Sequence, residues 1–224
     1  MNNNIINVAI DGPAGAGKST VARGAAKQLG YIYVDTGALY RAIGVNALRN
    51  GVDTKDKAAV AASLDGVKVN LVFENGEQKV MLNGEDVSVE IRTPEASMAA
   101  SDVSAVPEVR AFLFDLQRDI AKKNSCIMDG RDIGTVVLPQ AQVKIFLTAS
   151  PEIRAERRYK ELIEKGSEVD YQSVLDDIVK RDYNDSHREI APLKPAEDSV
   201  LFDTTGLALD ESVAAITKII KEKK

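Results

Sequence analysis

Apolar residues along this chain come in two spacings, and their order predicts the architecture. Ile5, Ile6, Val8 and Ile10 make a short apolar run of the length of a buried strand. Residues 20–29 are amphipathic with helical spacing, and Tyr31-Ile32-Tyr33-Val34-Asp35 is a second short run. A helix opens at Thr36-Gly37, covers residues 38–49 and stops near Gly51, and residues 58–64 suit another short helix. After Gly66 the spacing changes to two. Val67, Val69, Leu71 and Phe73 alternate with Lys68, Asn70 and Glu74. Asn75-Gly76 and Asn83-Gly84, on either side of Lys79-Val80-Met81-Leu82, are hairpin signals, so residues 66–89 read as a small antiparallel meander.

Helical spacing then returns over residues 93–105 and 107–123, the second opened by Pro107-Glu108 and closed by Lys122-Lys123. Short apolar runs follow at 125–129, 143–147 and 200–203, separated by helical segments that run from Ser150-Pro151-Glu152 to Lys165-Gly166 and over 171–188, and closed by one at 210–221. Five short apolar strands separated by helices predict an α/β fold: a five-stranded parallel sheet with helices on both faces, carrying the small antiparallel β insertion. Ligands of such a sheet sit beyond the carboxyl ends of its strands. Four segments fall there: the loop from Gly12, Thr36, the Asp129-Gly130-Arg131-Asp132 turn, and Thr148-Ala149-Ser150.

The loop between the first strand and first helix, Gly12-Pro13-Ala14-Gly15-Ala16-Gly17-Lys18-Ser19-Thr20, reads G-x-x-x-x-G-K-S. In that strand–loop–helix setting it is a phosphate-binding P-loop. Glycines let backbone N–H groups turn inward around a phosphate, and the following helix points its positive end at the same anion. Lys18 adds a mobile charge for the β- and γ-phosphates, and the Ser19 hydroxyl can face Mg2+. Together these residues imply a nucleotide's phosphates with Mg2+.

Composition narrows the partners. With 44% hydrophobic and 28% charged residues the chain is an ordinary globular protein, long enough for a sizeable core in one domain with insertions or two small ones. A net charge of −5 argues against nucleic acid as the main partner. The single cysteine, Cys126, rules out an intrachain disulfide framework and fits a reducing compartment. No secretory signal and no membrane span is visible, so the expected location is the cytoplasm. No long exposed apolar stripe is visible either, which suggests a monomer.

Other charged residues concentrate where chemistry is expected. Arg131 can clamp an anionic oxygen bidentately. Asp129 is similar to a Walker-B aspartate that holds magnesium directly or through water. Tyr40-Arg41 lies one turn into its helix, and Arg110 early in its own. Arg181, Asp185 and Arg188 share one helix face, and Arg154, Arg157 and Arg158 cluster on the helix after Pro151. A single arginine is more often a solvated ion-pair partner. This many beside a P-loop point to a site for several phosphate charges, as phosphoryl transfer needs. The only histidine, His187, stands in a charged helix end, and no general base is evident. An anionic phosphate acceptor needs none, which favours a nucleotide or other phosphate acceptor over an alcohol. Asp203-Thr204-Thr205-Gly206 matches the D-x-x-G of GTPases, but no N-K-x-D follows it.

Several stretches together carry a family resemblance over nearly the whole chain. They are the P-loop with Ile10-Asp11 before it, Asp35-Thr36-Gly37-Ala38-Leu39-Tyr40-Arg41, Gly130-Arg131-Asp132-Ile133-Gly134-Thr135-Val136-Val137, Lys144-Ile145-Phe146-Leu147-Thr148-Ala149-Ser150, Arg154-Ala155-Glu156-Arg157-Arg158 and Arg181-Asp182-Tyr183-Asn184-Asp185-Ser186-His187-Arg188. In these the chain resembles the bacterial cytidylate kinases. The resemblance implies a P-loop NTPase core (1–37, 101–150, 189–224), a CMP-binding region (38–100, with the insertion 66–89) and a helical lid with its adjoining helix (151–188). It implies that Ser101, Arg110 and Asp132 face cytosine, that Arg181 and Asp185 face ribose, and that Arg41, Arg131 and Arg188 face the acceptor phosphate. Thr36, where a serine is expected, keeps the hydroxyl, and Tyr40 belongs to the same substrate set. Arg154, Arg157 and Arg158 belong to the lid over ATP, and Lys18, Arg131, Arg188, Arg157 and Arg158 would carry catalysis. The expected reaction moves the γ-phosphoryl group of ATP to CMP or dCMP. The alternatives are a kinase of UMP or another nucleoside monophosphate, and a P-loop regulatory switch.

Overall fold

A computed structural model describes residues 5–74, 77–164 and 166–224. The Asn75-Gly76 turn and Lys165 lie outside the described residues. A five-stranded parallel sheet has the order β2-β6-β1-β7-β8, built from β1 (Asn7–Asp11), β2 (Ile32–Asp35), β6 (Cys126–Gly130), β7 (Val143–Thr148) and β8 (Val200–Asp203). A separate antiparallel sheet contains β3 (Val69–Glu74), β4 (Glu77–Leu82) and β5 (Glu85–Asp86). The helices are α1 (Lys18–Leu29), α2 (Thr36–Arg49), α3 (Lys57–Ala62), α4 (Pro94–Val103), α5 (Pro107–Lys123), α6 (Pro151–Glu164), α7 (Tyr171–His187) and α8 (Leu209–Lys223). The chain divides into two compact units, one of residues 32–126 with Ile5, the other of residues 6–31 and 127–224.

In the second unit Val8, Ala9 and Ile10 are all fully buried, as are Ile127 and Met128. Successive strand residues point to opposite faces, so runs buried without alternation mean that both faces are covered. β1 pairs in parallel with β7, Ile10 opposite Ile145, and β7 pairs with β8, Phe146 opposite Leu201. β8 departs from the buried-strand reading, because Leu201 is 68% exposed. The 133–137 stretch, too short and too β-branched to signal a helix, forms a π-helical turn, Ile133–Val137.

The first unit has its own core of Leu39, Ile43, Val60, Val103, Val109 and Leu113. The meander belongs to it. Val69, Val80 and Leu82 bury one face of the small sheet in that core, and Gln78 Oε1 accepts from the Asp35 amide at 2.9 Å. Asn83 and Gly84 have positive φ of 52° and 90°, as the β4–β5 hairpin with Leu82 opposite Glu85 requires. α2 and α4 come close because residue 44 is glycine: a Cβ there would lie 2.8 Å from the Ala99 Cβ. Local capping sets the helix starts. Asp35, Asp56, Thr93 and Asp170 side chains accept from first-turn amides of α2, α3, α4 and α7.

Candidate active site

The carboxyl ends of β1 and β6 bring together several buried charged side chains of the second unit, among them Asp11, Lys18, Asp129 and Asp132. The chain leaves β1 through Gly12, whose φ is +149°; a Cβ there would stand 1.9 Å from the Leu147 carbonyl oxygen, so only glycine permits the loop. Residues 12–17 then lead into α1, whose cap residue Gly17 offers no side-chain acceptor. The first-turn amides of α1 are therefore available to an anion.

Lys18 is buried, and its Nζ donates to the Pro13 carbonyl at 2.7 Å. Burial, with Arg131 nearby, lowers its ammonium to about 7, while Asp129, Asp11 and Asp185 hold it up. An arriving phosphate would favour the charged form. Ser19 Oγ donates to Asp129 Oδ2 at 2.9 Å, joining the P-loop helix to the end of β6. Two hard oxygens at that separation suit Mg2+, which keeps most of its coordination as water and substrate phosphate. Among the described residues no group of three or more His, Cys, Asp or Glu side chains could hold a metal by itself.

Arg131 Nε donates to Asp185 Oδ2 at 2.8 Å. Burial works against both charges, but the pairing outweighs it: Arg131 is held above its ordinary range and Asp185 below the usual carboxylate range. Arg181 and Arg188 also act on Asp185, and Arg188 Nη2 lies 3.4 Å from Asp132 Oδ1. The end of α7 thus meets the turn after β6 through two acid–arginine pairs.

The arginines of α6 separate into three environments. Arg154 is buried and built into the fold, donating to the carbonyls of Ala149 and Ala14 at 2.9 and 3.0 Å and to Asp182 at 2.5 Å. Arg157 donates to the hydroxyl and carbonyl oxygens of Thr204 at 3.2 and 3.1 Å, close to Gly17. Arg158 is near the surface and pairs with Glu161 on its own helix.

In the first unit, Thr36 is buried at the start of α2. Arg41 Nη2 donates to Asp35 Oδ2 at 2.7 Å, the carboxylate that also caps α2. The buried Arg110 guanidinium lies 5.9 Å from the Tyr40 ring centroid. Ser101, half-buried on α4, has a carbonyl that accepts from Ser104 Oγ. His187 is exposed and stacks on Tyr183 at 4.0 Å.

Sequence reasoning passed over three residues. Asp11 binds two amides of the π-helical turn, Asp182 holds Arg154, and Thr204 joins Arg157 to the P-loop, its Oγ1 lying 3.3 Å from the Ala16 carbonyl oxygen. Thr204 lies inside the D-x-x-G match, which marked the segment while suggesting the wrong chemistry.

Residues 8–222 match the family model described as cytidylate kinase. A cytidylate kinase of Lactobacillus johnsonii is 53% identical over 222 residues, 99% of this chain and 96% of its own length. One from Caldicellulosiruptor bescii is 51% identical over 214 residues, 96% and 95% of the two chains. The crystal structure of an uncharacterised protein from Eubacterium ventriosum shares the fold with a TM-score of 0.53 at 14% identity, covering 96% of this chain and 98% of that one. A match over almost every residue, at about half identity with relatives of the same length, leaves one conclusion: the chain belongs to the cytidylate kinase family.

Proposed function

We infer that the protein is an ATP-dependent kinase that phosphorylates CMP, and we assign the work to the side chains as follows. The P-loop, residues 12–20 with Lys18, binds the ATP phosphates. Thr36, Tyr40, Arg41, Ser101, Arg110, Arg131, Asp132, Arg181, Asp185 and Arg188 bind the acceptor, with dCMP accepted alongside CMP. The observation that carries this reading is the charged cluster at the ends of β1 and β6, where the P-loop pair Lys18 and Ser19 meets Asp129 and the paired Arg131 and Asp185.

In the reaction an oxygen of the CMP phosphate attacks the γ-phosphorus of ATP in line with the bond to the β-phosphate. That bond breaks, and ADP leaves with its electrons. The acceptor is already an anion, so no side chain need remove a proton. Lys18, Arg131 and Arg188 spread the charge of the transferring group, with Arg157 and Arg158 added when the hairpin of residues 151–188 closes as a lid. Ser19 would hold Mg2+, with Asp129 beside it directly or through water, and the ion would neutralise charge on the ATP phosphates. The core is assigned to 1–37, 101–150 and 189–224, and CMP binding to 38–100. A monomer in the cytoplasm is the proposed state; the buried free Cys126, its thiol pushed up to about 12 by burial, suits a reducing compartment.

Coupled ADP release with CMP, dCMP, UMP, AMP and GMP tests this. Rapid release with CMP and dCMP and slow release with UMP is expected. Release that no monophosphate accelerates would mean a switch, and a preference for UMP would move the acceptor.

A further inference from the structure

We propose that Asp11 is a positioning residue that fixes Asp132, at the start of its turn, against the phosphate loop. Asp11 ends β1 and directly precedes Gly12, and it is 4% exposed. Its Oδ1 accepts from the Ile133 amide at 2.8 Å and its Oδ2 from the Gly134 amide at 2.7 Å. Those amides open the π-helical turn Ile133–Val137. An aspartate just before a helical turn can cap the opening amides with its own carboxylate. Asp132 makes no such cap bond; its backbone takes φ −145°, and its Oδ1 stands 3.4 Å from Arg188 Nη2. The carboxylate that satisfies the opening amides comes instead from 122 positions earlier in the chain.

The turn is held from its other sides as well. Ile133 is 1% exposed, and a Cβ on Gly134 would meet Lys144 Cδ at 3.2 Å and Asp11 Oδ2 at 3.3 Å. The turn has no room to slide along Asp11. One side chain therefore sets the spacing between the donor-phosphate loop and the base-reading residue. The inference rests on the proposed role of Asp132 toward cytosine. It adds a residue that never meets the substrate yet decides whether the two substrates lie at reacting distance, where small misplacements are costly.

The test is Asp11→Asn, close in size but presenting an N–H to one of the two amides. KM for CMP should rise about 10-fold while KM for ATP changes less than about 2-fold. In an Asp132→Ala background the same change should add less than about 2-fold, because both act through one contact. Equal shifts in both KM values, no shift in a folded variant, or a full effect in the Asp132→Ala background would overturn the proposal. Turnover of CMP by the unsubstituted protein, measured in the same series, separates the two levels: activity on CMP with an unmoved KM in D11N removes this inference and leaves the function standing. If D11N does not fold, amide exchange in the unsubstituted protein decides. Ile133 and Gly134 should be strongly protected without nucleotide, and exchange at loop rates would overturn the clamp.

Discussion

The strand-end face of the second unit and the α6–α7 hairpin carry charge in opposite ways. At the strand ends each charged group is bonded to something fixed: Asp11 to two amides, Lys18 to a carbonyl, Asp129 to Ser19. The hairpin has a core of three buried residues, Ala155, Val174 and Ile178, with Ile163 and Val179 about half exposed. Pairs such as Arg158–Glu161 and Lys160–Glu156 span one turn of their own helix. The base of the hairpin is anchored through Arg154, Arg157, Asp185 and Arg188. Phosphoryl transfer asks for both kinds of structure: charges preorganised where the transition state forms, and a cover that closes to exclude water.

Lys18→Ala should break the fixed face most severely. Removing that charge is expected to lower kcat by about 100- to 1,000-fold in a protein that still melts cooperatively. Near-normal turnover would remove the P-loop from the chemistry.

Asp11 sharpens the comparison through pH. Burial, the main cause, raises its carboxyl from 3.8 to about 6. The native state therefore binds that proton more tightly than the unfolded chain does. The group's contribution to stability is complete below pH 3.8 and is lost as pH rises through about 6. Relative to Asp11→Asn, the natural protein should lose up to about 3 kcal/mol of stability between pH 4 and pH 7. Urea unfolding of both proteins at the two pH values measures it, and a difference independent of pH would contradict the assignment.

Asp132→Ala tests whether the fixed face reads the base. A carboxylate accepts from the cytosine amine, whereas uracil would oppose it with a carbonyl. Efficiency with CMP should fall by roughly 10-fold or more, and with UMP by less, narrowing the gap between them. Equal losses would mean that Asp132 does not distinguish the bases. Arg158→Ala should show the other extreme, changing unfolding free energy by less than about 0.5 kcal/mol, since its partner is an exposed neighbour on one helix. A loss above about 1 kcal/mol would mean that Arg158 is bound into the fold.

What the sequence revealed follows from distance along the chain. The P-loop, the Asn83-Gly84 hairpin and the helix starts at Asp35, Thr93 and Asp170 are local, so spacing alone exposes them. The alternation of residues 67–74 exposes the meander for the same reason. The bonds that organise the site join positions 122 (Asp11–Ile133), 140 (Arg154–Ala14) and 188 (Thr204–Ala16) apart, and no local spacing reports them. Arg154, Arg157 and Arg158 look alike in sequence; one is a buried strut, one leans on Thr204 and one is near the surface, because only the packing of α6 distinguishes them. The π-helical turn at Ile133–Val137 was hidden because Val136 and Val137 favour a strand and the amides that shape it answer to a distant aspartate.

Amide hydrogen exchange, read with and without ATP and CMP together, tests the contrast between the two regions most directly. Residues 158–164 should exchange fast in the free protein and slow markedly when both nucleotides are bound, while Ile133 and Gly134 should be protected throughout. Unchanged exchange over 158–164, or protection of Ile133 and Gly134 that arises only with nucleotides, would contradict a fixed face beneath a moving hairpin.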